Sequence, residues 1–127
     1  MNRLKFRVWD KKQGKYLNPR NYRLAIMPDG ELLRINVNRL CEKLNSDRYI
    51  VEQCTGLKDK NDMLIFEGDI VKCISPYRGV FNATIDIVDG CWNIVAFDFM
   101  DYLKCLTCNH QCYVIGNRNG NKKLLED

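Results

Sequence analysis

Between residues 105 and 112 stand four side chains that bind soft and borderline metals: Cys105-Leu-Thr-Cys108-Asn-His110-Gln-Cys112. Zinc takes four N or S ligands at about 2.0–2.3 Å, and a Cys-x-x-Cys turn supplies two of them from one knuckle. The second pair is the obstacle. Structural zinc sites return a distant pair to close a loop, whereas His110 and Cys112 follow at once. In an extended segment alternate residues stand roughly 6.7 Å apart, so Cys108, His110 and Cys112 reach one ion only if the segment bends. The alternative is no cofactor, with unpaired and partly buried thiols acting as small hydrophobes. His110 is the only histidine, so a Cys–His nucleophile pair would also have to be built here, and no third orienting residue accompanies it.

A second set with chemical potential lies on the opening strand. Leu4, Phe6 and Val8 alternate with Arg3, Lys5, Arg7 and Trp9, which places three cations and an aromatic on one face. Such a face could track a nucleic-acid backbone and stack a base, with Lys11, Lys12, Lys15 and Arg20 extending it. Trp9 could equally anchor a subunit contact. The competing reading is a solvated outer face whose charges discourage aggregation. Charge is split along the chain: residues 1–54 carry 12 Lys+Arg against 6 Asp+Glu (+6), and residues 55–127 carry 8 against 10 (−2). Any nucleic-acid footprint therefore belongs to the N-terminal part.

The remaining polar groups suit turns better than catalysis. Lys58-Asp-Lys-Asn-Asp62 lacks the ligand spacing and closing glutamate of a calcium loop, and its two lysines oppose a cation. Glu67 and Asp69 have no histidine nearby and flank Gly68, so they share a face only if the glycine does not bend the chain. No glycine-rich phosphate loop is present in the sequence. The expectation is a protein that is not an enzyme.

The elements that must position these residues are mostly strands. Lys15–Leu17, Tyr22–Met27, Glu31–Val37 and Arg48–Gln53 have strand character. Pro28-Asp-Gly30 makes a tight turn, and Asn38–Asn45 fits a short capped helix. After Gly68, strands are expected at 69–75, 79–88, 91–99, 101–106 and 111–116, five short strands that suit a small closed barrel. Asp89-Gly90 is a two-residue hairpin turn. It sets Ile87 opposite Trp92, Ile85 opposite Ile94 and Ala83 opposite Ala96, turning Phe81, Ile85, Ile87, Trp92 and Ile94 inward. Cys73 and Cys91 fall within apolar strands and are expected to be buried. The polar stretch Thr55–Asn61 is the expected boundary, dividing the chain into 1–54, a β-rich part, and 55–127, a barrel whose Glu67-Gly-Asp-Ile-Val-Lys72 resembles the entry strand of SH3-like barrels.

The stretch Thr55-Gly-Leu-Lys-Asp-Lys-Asn-Asp-Met-Leu-Ile-Phe-Glu-Gly-Asp-Ile-Val71 resembles the signature of the YopX family. Leu4-Lys-Phe-Arg-Val-Trp-Asp10 resembles that family's opening strand, and Tyr113-Val-Ile-Gly-Asn117 its closing one. Two departures stand out. The usual Asn-Gly turn reads Asn61-Asp62, and an acidic, proline-containing tail is replaced by Arg118-Asn-Gly-Asn-Lys-Lys123. The resemblance implies the SH3-like barrel and a bacteriophage or prophage setting, with no characterised activity.

A chain of 127 residues buries roughly 65% of its unfolded surface, enough for a core without staples. Seven cysteines is an odd number, which argues against a disulfide framework. The first residues lack the apolar run of a signal peptide, and no run approaches the roughly 18 apolar residues of a membrane span. The expectation is a mainly β protein of the host-cell cytoplasm. It would act as a non-catalytic binding module on a host or phage protein, with interference in a host defence system as a special case. It would be homo-oligomeric and away from membranes, with nucleic-acid binding through the basic strand as the rival reading.

Overall fold

The structure is a computed structural model that describes residues 5–18, 20, 23–35, 38, 41–76, 78–96, 100–103 and 111–126. The fold is mainly β, as expected. The chain divides into two compact units, Arg7–Glu52 and Met1–Phe6 with Gln53–Asp127. The division falls inside a strand, at Glu52/Gln53, and Thr55–Lys58 continues that strand instead of forming a loop.

Strand β1 (Phe6–Asp10) lies between β2 (Lys15–Tyr16) and β6 (Tyr49–Lys58). Asp10 closes the β1–β2 loop by accepting from the Lys12 and Gln13 backbone N–H groups at 3.0 and 3.4 Å. A three-stranded antiparallel sheet follows, in the order β3 (Arg23–Ile26), β4 (Leu32–Ile35), β5 (Cys41–Lys43). Its Pro28-Asp-Gly30 turn is closed by Met27 N donating to Glu31 O at 2.8 Å. The capped helix expected at 38–45 is not formed over 41–43. That segment is an edge strand pairing Leu33 with Lys43, Arg34 with Glu42 and Ile35 with Cys41. A stretch this short cannot hold a helix by propensity alone, while β4 offers it a ladder and an opposite charge across the pair.

The larger unit is built on a five-stranded antiparallel sheet, in the order β11 (Met100–Tyr102), β10 (Cys91–Val95), β9 (Gly79–Val88), β8 (Asp69–Ser75), β12 (Cys112–Asn117). It curls into a half-barrel, where a closed barrel was expected. The Asp89-Gly90 turn has two positive φ values, 51° and 78°, which matches the right-handed strand twist. The resulting register is the expected one: Ile87 with Trp92, Ile85 with Ile94, Val88 with Cys91. Ile65, Val71, Cys73, Ala83, Ile85, Ile94, Leu103 and Cys112 form the buried core, with Leu57, Phe81, Trp92, Ala96 and Val114 packed against it. Each large aliphatic side chain so buried contributes roughly 2 kcal/mol.

Two expectations about this sheet are corrected. Ile87 is 48% exposed, because it stands near the hairpin tip, past the last core layer on its strand. Cys91 is exposed, because the register places it opposite Val88 on the outer face.

The β6–β7 hairpin, with β7 at Leu64–Phe66, is held by the polar residues of the 55–71 stretch. The pairing slips between Cys54↔Phe66 and Lys58↔Leu64, where Gly56 adopts φ 79°. Thr55 stitches the bulge, its Oγ1 donating to Ile65 O at 2.8 Å and accepting from Leu57 N at 3.1 Å. Asp62 takes φ 65°, so the aspartate fills the left-handed position that the Asn-Gly form of this turn gives to glycine. Gly68 at φ 82° bends the chain into β8, and Asp69 accepts from Phe66 N at 2.8 Å. At the other end of the unit, Gly116 lies 2.7 Å, measured from a notional Cβ, from Asn121 Oδ1 and 3.0 Å from Leu124 Cδ1. The absent side chain is what lets the 3-10 turn Lys122–Leu125 approach β12.

Candidate functional site

Two of the four residues read as a basic face on the opening strand, Arg7 and Trp9, are not on an open surface. Val8, Trp9 and Asp10 are buried in succession, while Phe6 is 42% exposed. Trp9 packs edge-on against Tyr16, its register partner, with ring centroids 4.8 Å apart. Arg7 donates from Nε to Glu52 Oε1 at 2.9 Å and lies over the Tyr16 ring at 4.4 Å. Tyr16 donates its hydroxyl to the same carboxylate oxygen at 2.8 Å. Glu52 itself is fully buried. Arg7 and Trp9 are therefore built into the interior of their unit, whereas Lys5 is exposed. Arg3 lies outside the described residues. Glu52 was not anticipated, although alternation along β6 sets it on the same face as Ile50 and Cys54, where a carboxylate needs a partner.

A second pair stands beside the first. Arg48 grips Asp10 with both ends of its guanidinium, Nε to Oδ1 and Nη2 to Oδ2, each 2.9 Å. The Arg48 hydrogen bond, helped by the loop N–H groups, draws the Asp10 carboxyl from 3.8 down to about 2. Above about pH 5 the carboxylate is ionised in folded and unfolded chains alike, and its stabilisation is complete. As pH falls, the unfolded chain takes up its proton first, through 3.8, and the folded carboxyl only near 2, so stability is lost across that window. Thermal midpoints measured from pH 5 to pH 2 should fall for the native chain, and the slope should flatten in Asp10→Asn.

The same unit carries a cleft of about 590 Å3 lined by Glu31, Leu32, Lys43, Asn45, Tyr49 and Val51, among others. Lys43 and Glu31 form an ion pair there, and Asp29 adds a second carboxylate to the lining.

Of the four residues at 105–112, only Cys112 is described. It sits in the core of the larger unit, where burial, with Asp59 adding to it, pushes its thiol up to about 11. Cys105, Cys108 and His110 lie outside the described residues. Glu67 and Asp69 serve backbone N–H groups, of Gln53 at 3.3 Å and Phe66 at 2.8 Å respectively. The Lys58–Asp62 segment is a turn in which Asp59 is buried and collects backbone donors.

The outer face of the larger sheet is different in kind. Its cross-strand rows run Thr84–Val95–Met100 and Asp86–Asn93–Tyr102. Met100 and Tyr102 are 50% and 58% exposed on β11, the strand at the end of the sheet order. β11 begins at Met100, one residue before the strand expected at 101–106, and so brings Met100 onto this face beside Tyr102.

Among the described residues, no helix is long and apolar enough to cross a membrane. No curated protein matches the chain. Two solved structures are similar over nearly their whole length. Protein EF1440 from Enterococcus faecalis has 27% identity and a TM-score of 0.62, covering 95% of this chain and 96% of that one. Protein yopX from Bacillus subtilis has 21% identity and a TM-score of 0.66, covering 98% and 99%, a likeness of fold. The family model described as YopX protein matches residues 5–126, which takes in the opening strand, the 55–71 stretch and the closing strand together, and the chain belongs to the YopX family.

Proposed function

We propose that this YopX-family protein is a non-catalytic binding module of phage or prophage origin that captures a host or phage protein through the outer face of β9–β11. One observation carries the reading: a long methionine and a tyrosine project side by side from an end strand, flanked by Val95 and Thr84. Tyr supplies large amphipathic contact area at low entropic cost, and Met adapts to irregular partners. The chemistry-bearing residues elsewhere support it, since Arg7, Glu52, Asp10, Arg48, Asp59 and Asp69 are engaged in bonds within the protein.

The test uses full-length chain and a Met100→Lys/Tyr102→Ala variant as baits in host extract, followed by titration of the purified captured protein. Binding should weaken by at least tenfold in the variant, the loss expected for a central aromatic anchor. Equal affinity for both baits overturns the reading. So does retention on DNA that falls steeply with salt and is reduced by Lys5→Ala, which would move function to the basic end. Sedimentation of the same pair detects self-association as the alternative occupant.

A further inference from the structure

Two thiols face each other across the last ladder of the larger unit. Cys73 on β8 and Cys112 on β12 are direct register partners, both fully buried and both free. The surrounding hydrogen bonds fix the kind of pair. Ile74 N donates to Gln111 O at 2.8 Å, whereas the Cys112 carbonyl accepts from Lys60 N at 3.0 Å, away from β8. Cys73 and Cys112 therefore form a non-hydrogen-bonded pair, the class in which Cα atoms stand about 4.5 Å apart and side chains come closest. A disulfide spans Cα separations of roughly 4.4–6.8 Å. Burial raises the Cys73 thiol to about 12, with Cys112 adding to the shift, so the closed sheet holds both sulfurs protonated and unreactive.

Access depends on β12, which ends the sheet order. Its outer edge is held by the 59–60 turn, through Val114 N donating to Asp59 Oδ2 at 2.8 Å and Lys60 N donating to Cys112 O. Release of that edge exposes Cys112 while leaving Cys73 on its neighbour.

We propose that Cys73 and Cys112 are a dithiol that a small-molecule disulfide oxidises to a cross-strand disulfide when β12 opens, fastening the closing strand to β8. The Cys112 thiol gives its proton to solvent, and the thiolate attacks one sulfur of the oxidant, breaking its S–S bond and releasing one thiol. The Cys73 thiol then gives its proton to solvent, and its thiolate attacks the Cys112 sulfur of the mixed disulfide, forming the protein disulfide; the two sulfur groups that leave the oxidant take up the two protons. The protein loses two protons and two electrons, and the oxidant is reduced to two thiols.

The experiment incubates the full chain with oxidised glutathione at a denaturant concentration just below its unfolding transition, then maps peptides without reduction. A Cys73–Cys112 linked peptide is expected, with the unfolding midpoint raised by roughly 10 °C and restored by dithiothreitol. Asp59→Asn, which loosens the outer edge of β12, should form the link about tenfold faster. The proposal is overturned if Cys73 and Cys112 stay reduced, if they link only to other cysteines, or if the linked form unfolds at a lower temperature. The peptide map on the native chain decides the matter even where Asp59→Asn fails to fold.

Discussion

Asp59→Ala should destabilise the larger unit by about 4 kcal/mol, a large share of the roughly 5–15 kcal/mol that holds a domain together. Asp59 is 5% exposed, and its carboxylate is shared among three backbone donors. Oδ1 accepts from Asn61 N and Met63 N, both at 2.9 Å, and Oδ2 accepts from Val114 N at 2.8 Å. The first two bonds shape the β6–β7 turn, whose backbone is closed by Asp59 N donating to Met63 O at 2.8 Å. The third reaches 55 residues along the chain to satisfy the edge of β12, so one side chain couples the 55–71 stretch to the closing strand. Alanine leaves three donors short of an acceptor, each costing about 1–3 kcal/mol where water cannot reach. Asparagine separates the two roles. It keeps one oxygen for the turn but turns an amide N–H toward Val114 N, so it should cost about 2 kcal/mol and act mainly on β12. Denaturant midpoints give the totals, and hydrogen exchange at the Val114 amide gives the location. If Asp59→Asn leaves that amide as protected as in the native chain, the coupling is not made by this bond.

The parts of the fold that were legible in the sequence are those decided locally. Asp89 and Gly90 specify a turn whose geometry fixes strand register, and period-two patterning on both sides then sorts core from surface. Gly68 and Asp69 were legible as turn residues for the same reason, since each acts on backbone within a few residues. What depended on distant partners was not legible. Cys41–Lys43 carries a weak helical pattern, and the ladder to β4 overrides it. Trp9 follows charged alternation, yet Tyr16 encloses it. Ile87 obeys its strand's period and is still exposed, because period says which face a residue takes and not how far along the strand the core extends. Asp59 looked like one polar turn residue among several; its bond to Val114 comes from the far end of the chain.

The strongest test of how the Arg7–Glu52 unit is held together is Glu52→Ala, expected to cost about 3 kcal/mol. The side chain of Glu52 is fully buried and that of Arg7 is 20% exposed, so water partly screens the cation but not the carboxylate. Removing the carboxylate takes the shared acceptor from Arg7 Nε and the Tyr16 hydroxyl at once. It leaves a guanidinium over an aromatic ring with its main counter-charge gone. Glu52→Gln keeps an oxygen of the same shape and should cost about half as much, because the neutral bonds persist while the charge assistance is lost. Net worth is a separate question, since a buried ion pair spends much of its attraction on desolvation. The double variant Arg7→Leu/Glu52→Leu, which removes both charges together, should therefore be more stable than Glu52→Ala. A Trp92→Phe background leaves Trp9 as the single tryptophan of the two in the chain. Its fluorescence then reports on the unit that contains Glu52, and a red shift in Glu52→Ala that the double variant reverses would locate the damage at the Trp9–Tyr16 contact. Equal stability of Glu52→Ala and the native chain would mean that Arg7 finds another acceptor, and that the aromatic packing holds this unit without the carboxylate.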